Sequence, residues 1–108
     1  MKPLVLSIKF TTTPGNKEEF KNMLVDLFHA ISEEPTFISA VLHEGIQQPN
    51  DILVYETWDE TVENFLTVQM TKPYRIPYEE ALTKLKVTRE PAVYTPFARW
   101  GADGYHGK

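Results

Sequence analysis

Apolar and polar residues alternate with a period of two along four segments of the chain and follow a helical period along two others. The alternating segments, residues 4–10, 37–44, 52–58 and 92–98, predict β-strands. The helical pattern covers residues 16–32 and the stretch after residue 59, and a further helical piece is predicted over residues 78–85. The order β-α-β-β-α-β is typical of the ferredoxin-like α+β fold, in which an antiparallel four-stranded sheet carries its helices on one face.

The stretch after the third strand has the features of a helix start. Asp59 is placed as an N-cap, with Glu60 and Glu63 in the first turn, where acidic side chains suit the positive end of a helix. Pro73 and Pro77 predict a break at its end. The stripe predicted to face the sheet is Val62, Phe65, Leu66, Gln69 and Met70. Gln69 is therefore a polar amide on an apolar helix face.

The third strand is apolar on both faces. Alternation places Val54, Glu56 and Trp58 on one side, and Leu53 and Tyr55 on the other. A chain of 108 residues makes a single domain, 1–108, and has few residues left to cover a second sheet face. We therefore expect a homodimer through the sheet faces, which together form a dimeric α+β barrel.

Composition excludes several classes of function. The formal net charge is −4 with scattered basic residues, whereas nucleic-acid binding requires a positive footprint. Cysteine is absent and the histidines are widely spaced, so no metal site is expected. No glycine-rich nucleotide motif is present, so we expect no cofactor. No apolar run approaches ~20 residues, so no membrane span is expected and the predicted location is cytoplasmic.

Three short motifs resemble the antibiotic biosynthesis monooxygenase family. Glu56-Thr57-Trp58 ends the third strand, Leu66-Thr67-Val68-Gln69 follows on the helix, and Lys72-Pro73-Tyr74 comes next. The family usually has histidine where Gln69 stands. The resemblance implies a dimeric α+β barrel that oxygenates without metal or flavin. In such a reaction a phenolic or quinol substrate supplies the electrons to O₂.

The same stretch supplies the candidate site residues. Candidate catalytic residues are Gln69, Glu56 and His43. Glu56 is a general base if buried, and His43 is a candidate base because histidine is the residue type that ordinarily exchanges protons near neutral pH. The candidate substrate-binding residues are Trp58, Phe65, Tyr74, Arg75 and Tyr78. A pocket is predicted between the second helix and the sheet, lined by Trp58, Phe65, Gln69 and Tyr74.

Each candidate also has a purely structural interpretation. Gln69 can bond backbone at the helix end, Trp58 can pack in the core, and Glu56 can form a salt bridge. Tyr74 and Tyr78 can pack on the first helix, and Arg75 can be solvated. His43 can lie at a strand edge or dimer interface.

These features predict a small monooxygenase that uses O₂ and a small aromatic substrate. Two alternatives stay open at this point: a ligand-binding or regulatory dimer without turnover, and an isomerase or cyclase on the same fold. The sequence assigns no role to the tail 99–108.

Overall fold

The computed structural model describes residues 3–101, so the predicted tail is described only up to Gly101 and His106 lies outside the described residues. Residues 3–101 form three helices and four strands, with two short 3-10 turns before the last helix. The strands are β1 Leu4–Thr11, β2 Phe37–Glu44, β3 Asp51–Trp58 and β4 Thr88–Tyr94. The helices are α1 Lys17–Ile31, α2 Val62–Thr67 and α3 Ile76–Lys84, and the 3-10 turns are Gln69–Thr71 and Pro73–Arg75.

The four strands form one sheet in the order β2-β3-β1-β4, with every neighbouring pair antiparallel. The two central strands are β1 and β3. Their buried side chains include Leu6 of β1 and Glu56 of β3, which lie opposite each other in the sheet. This arrangement confirms the predicted ferredoxin-like fold. No helix among residues 3–101 is both long and apolar enough to cross a membrane.

One face of the sheet is covered by the helices and holds the core. The inward side chains of β1 and β3 pack against α1, because the apolar positions of α1 recur at helical spacing and form one stripe. The ring of Phe10 meets those of Phe20, at 5.0 Å between centroids, and Tyr78, at 6.2 Å, in edge-to-face contacts. The buried residues of α1 are Phe20, Leu24, Leu27 and Ile31.

The start of α2 differs from the prediction. The cap is Thr61, whose Oγ1 accepts a hydrogen bond from the backbone N–H of Asn64 at 3.0 Å. Asp59 instead donates its backbone N–H to the carbonyl of Thr36 at 2.8 Å, and Glu60 accepts from the Thr36 hydroxyl at 2.6 Å. These two residues are therefore used to tie the end of β3 to the chain before β2, and the helix begins after them.

The fourth strand lies four residues earlier than the pattern predicts. It runs along β1 from Thr88 opposite Thr11 to Tyr94 opposite Val5. Its first residues are polar and include Pro91, which suggests a loop in sequence. At the edge of a sheet one side of the strand needs no ladder hydrogen bond, so proline and charged residues are tolerated there.

The other face of the sheet is largely uncovered within the chain. Val41, Leu53 and Tyr55 lie on it and are 40 to 48% exposed. A register shift between Phe37 and Ser39 moves Phe37 to the helix side, where its ring meets that of Trp58. Phe37 was predicted to share a face with the residues that follow it, and the bulge is the reason that it does not.

Candidate functional site

A cavity of about 370 Å³ lies on the helix side of the sheet, between β1 and β4 on one side and α2 and the start of α3 on the other. This volume falls in the range of small-molecule sites, roughly 300–1,000 Å³. Most of its wall is apolar. The apolar lining includes Leu6, Ile8, Leu66, Met70 and Val93. The polar lining consists of Glu56, Arg75, Tyr78 and Arg89.

Glu56 is a buried carboxyl in the cavity wall. It stands two residues before the end of β3, on the helix side, and is 2% exposed. Its Oε1 accepts a hydrogen bond from the indole Nε1 of Trp58 at 2.8 Å. Burial raises the pKa of Glu56, and the Trp58 hydrogen bond and the charge of Arg75 oppose that rise. A carboxyl held in this way can accept or supply a proton closer to neutral pH than a solvated one.

Arg75 is the buried cation of the site. It ends the 3-10 turn that Pro73 opens and is 5% exposed. Its guanidinium lies over the ring of Phe65, at 5.6 Å from the centroid, and over that of Tyr74, at 6.0 Å. Its Nε and Nη2 are buried and have no hydrogen-bond partner among the described residues.

Tyr78 and Arg89 form the third polar group of the wall. Nη1 of Arg89 donates to the Tyr78 hydroxyl at 3.0 Å and to Glu79 at 2.9 Å, and Nη2 donates to Glu79 at 3.2 Å. Burial raises the pKa of Tyr78, so the hydroxyl stays protonated and can donate a hydrogen bond into the cavity. Arg89 was missed in the sequence because β4 was predicted to begin after it.

Four of the predicted site residues therefore line one cavity: Glu56, Phe65, Arg75 and Tyr78. Trp58, Gln69 and Tyr74 were predicted to line the pocket and do not. Trp58 has no exposed surface, and its ring packs edge-on against Phe65 at 5.2 Å between centroids, so it supports the wall from behind.

Gln69 belongs to a separate hydrogen-bonded cluster. Its Nε2 donates to Oε2 of Glu60 at 3.3 Å, and its buried Oε1 has no partner among residues 3–101. Glu60 also accepts from Asn64 and Thr36, and these hydrogen bonds lower its pKa. Gln69 thus ties the 3-10 turn after α2 to the loop before it.

Tyr74 and His43 also lie away from the cavity. The Tyr74 hydroxyl donates to Glu34 at 2.9 Å, and burial together with that bond raises the pKa of Tyr74 to about 12. His43 is exposed and lies on the opposite face of the sheet, beside Leu53 of β3. The sheet itself separates His43 from the cavity of its own chain.

Other recesses are less suited to chemistry. A groove of about 930 Å³ at one end of the sheet is lined mainly by exposed residues, including Asp59, Val62 and Tyr94. In residues 3–101 no three or more His, Cys, Asp and Glu side chains are grouped to hold a metal ion. The buried charged residues Glu56 and Arg75 both line the smaller cavity, together with the buried Tyr78, and this cavity is therefore the candidate active site.

A sequence profile of the antibiotic biosynthesis monooxygenase family matches residues 3–70, more than half of the chain. The chain belongs to the antibiotic biosynthesis monooxygenase family. It is 27% identical over 78 residues to a protein of Pestalotiopsis microspora named "putative monooxygenase". That match covers 72% of this chain and 65% of the relative, so somewhat less than two thirds of the relative's length is matched.

Solved structures have the same fold at low sequence identity. An antibiotic biosynthesis monooxygenase-like structure from Deinococcus radiodurans superposes with a TM-score of 0.79 at 19% identity, covering 92% of this chain and 97% of that one. SnoaB, a cofactor-independent oxygenase from Streptomyces nogalater, superposes with a TM-score of 0.77 at 19% identity, covering 95% and 99%. The family resemblance seen in the sequence is confirmed.

Proposed function

We propose that this protein is a monooxygenase that oxidises a small quinol or polycyclic phenol with O₂, without a metal or flavin. The observation that carries the proposal is the buried carboxyl of Glu56 in the wall of an otherwise apolar cavity. A flat aromatic substrate matches the apolar lining, and its hydroxyl requires a base inside it. Family membership and the oxygenase named among the structural neighbours support the same chemistry.

Glu56 is the general base of the proposed reaction. Its raised pKa gives it more basicity than a solvated carboxylate, so it takes the proton of the substrate hydroxyl more readily. The Trp58 N–H holds one carboxyl oxygen and fixes the orientation of the group. The Tyr78 hydroxyl, which accepts a hydrogen bond from Arg89, donates its own to the negative charge that appears on the substrate oxygen.

The electrons come from the substrate. A deprotonated phenol or quinol is electron-rich and transfers electrons to O₂. One oxygen atom then bonds to a ring carbon and the O–O bond breaks. The other oxygen leaves as water, which takes the hydrogen of that ring carbon and the hydroxyl proton held by Glu56. The apolar wall excludes bulk water while the reactive species is present. His43 and Gln69, both named as catalytic candidates from the sequence, have no place in this scheme, because neither lines the cavity.

We further propose that two chains pair through their uncovered sheet faces. The face carries half-exposed apolar side chains, and two large aromatic side chains that follow β4, Phe97 and Trp100, are 98% and 87% exposed. A second copy would bury these groups, which is favourable in proportion to the apolar area removed from water. The cytoplasmic location stays a prediction.

Oxygen uptake with a reduced naphthoquinone such as menadiol tests the proposal. The wild-type protein, treated with a chelator and given no flavin, should consume O₂ well above the rate in buffer. Glu56→Gln should lower that rate by roughly 10²-fold or more, the usual worth of a general base. Glu80→Gln, on the exposed side of α3, is the matched control and should keep it. Uptake no faster than in buffer with every quinol and polycyclic phenol tried would rule the proposal out.

A further inference from the structure

Arg75 has one edge of its guanidinium free. The guanidinium carbon lies over the rings of Phe65 and Tyr74, at 5.6 and 6.0 Å from their centroids. The two nitrogens without a partner among the described residues are Nε and Nη2, which lie side by side along one edge of the group. Two parallel N–H donors on one guanidinium edge match the two oxygens of a carboxylate, in the bidentate geometry that arginine favours.

Leaving such an edge empty in a buried site is costly. Arginine stays charged, because its guanidinium does not lose its proton in proteins. A buried donor without an acceptor loses its hydration and gains nothing in return, and the loss is larger for a charged group. Glu56, an acid in the cavity lining, interacts with Arg75 through its charge but forms no hydrogen bond with Nε or Nη2. The two N–H groups of this edge are therefore donors available to an acceptor group of a bound ligand.

We infer that the substrate of this protein carries a carboxylate on its aromatic ring, and that Nε and Nη2 of Arg75 bind the two carboxylate oxygens. The inference rests on the proposed function, since it narrows the phenol or quinol to a hydroxylated aromatic acid. Because Arg75 lines the cavity, a carboxylate bound to it leaves the aromatic ring beside the apolar lining residues Ile8, Leu66 and Met70.

The neighbouring acid is compatible with an anionic ligand. Glu56 accepts its hydrogen bond from Trp58 and not from Nε or Nη2 of Arg75, so it does not occupy the donors that an anionic ligand needs. Arg89, which also lines the cavity, is already paired with Glu79, so its charge is largely compensated within the chain. Among the described residues that line this cavity, Arg75 is thus the cation whose N–H donors have no hydrogen-bond partner.

Binding of 2-naphthoate and of 2-naphthamide, measured by calorimetry under argon, tests the inference without any turnover. The two probes share one shape and differ in charge. The wild type should bind the naphthoate roughly 10- to 100-fold more tightly, as expected for charge-assisted hydrogen bonds. Arg75→Met should abolish that preference, and Arg75→Lys should keep only part of it because an ammonium lacks the bidentate edge. Arg99→Met, at an exposed arginine on the other side of the sheet, is the matched control and should change nothing.

A second readout does not depend on the variants folding. The Nε–H resonance of Arg75 in the wild type should shift when naphthoate is added and not when naphthamide is added. Equal affinity for the two probes, or no change of the Arg75 resonance at saturation, would overturn the inference. Arg75-dependent naphthoate binding without oxidation of any quinol would leave the inference standing and remove the proposed reaction. Quinol oxidation without a preference for naphthoate would support the proposed reaction and overturn the inference about Arg75.

Discussion

The hydrogen bond from Trp58 to Glu56 holds the proposed base, and its removal should be measurable in stability. Both side chains are buried, and the N···O distance is 2.8 Å. Trp58→Phe removes the N–H and keeps an aromatic ring in the core. A hydrogen bond to a charged group contributes roughly 1.5–3 kcal/mol, and an acceptor left unpaired in a buried site costs a similar amount. We expect the variant to lose about 2 kcal/mol or more of unfolding free energy.

The smaller ring also leaves space beside Phe37 and Phe65, so the single variant mixes two effects. A double-mutant cycle with Glu56→Leu separates them, since the leucine background has no acceptor to lose. Trp58→Phe should cost roughly 1.5–3 kcal/mol less in that background. Urea unfolding followed by far-ultraviolet circular dichroism at about pH 8 gives all four free energies. A coupling energy below about 0.5 kcal/mol, the usual limit of additivity, would refute the assigned role of the bond.

Three further predictions follow from the same geometry. Burial raises the pKa of Glu56 above its ordinary value of 4.5, so its favourable contribution to the free energy of unfolding is present in acid and is lost as the pH rises through the folded-state pKa. Glu56→Gln should therefore gain stability relative to the wild type as the pH is raised from about 4 to 8. A difference in urea midpoints that does not change with pH would contradict this. Gln69→Ala should lower stability by about 1 kcal/mol through the lost bond to Glu60 and leave the rate of quinol oxidation unchanged, whereas a large fall in rate in a folded variant would show that Gln69 reaches the substrate. Sedimentation at micromolar concentration should give twice the chain mass for wild type and the single chain mass for Tyr55→Lys on the uncovered face; a well-folded wild-type monomer would exclude the sheet-face dimer.

The fold was predictable because each element has a strong local signal. The alternation in β1, β2 and β3 reports a pleated strand with one face on a core, and α1 has four apolar positions at helical spacing. The fourth strand was misplaced because its start, Thr88 to Pro91, is polar and contains proline. An edge strand accepts such residues, and only the pairing with β1 reveals them as strand.

The site was predictable only where the chain is regular. Glu56 and Phe65 follow from strand alternation and helical spacing, so their place on the cavity side could be anticipated. The different positions of the two tyrosines around Pro77 could not be predicted in this way. Tyr78 lines the cavity, whereas the Tyr74 hydroxyl bonds Glu34, because the 3-10 turn that precedes α3 directs the two side chains differently. The predicted place of Gln69 in the pocket wall was wrong for the same reason. The helix α2 ends at Thr67, and Gln69 lies in the 3-10 turn that follows, so its side chain does not continue the apolar stripe of α2.

Isotope labelling tests the central claim, oxygen insertion by this chain alone, most directly. A polycyclic phenol such as 1-naphthol is incubated with the chelator-treated, flavin-free protein under ¹⁸O₂, and the quinone product is analysed by mass spectrometry. The account predicts one labelled oxygen atom in each quinone, one O₂ consumed per product, and water as the other product. Quinone without label, or hydrogen peroxide formed in equal amount to the quinone, would contradict it.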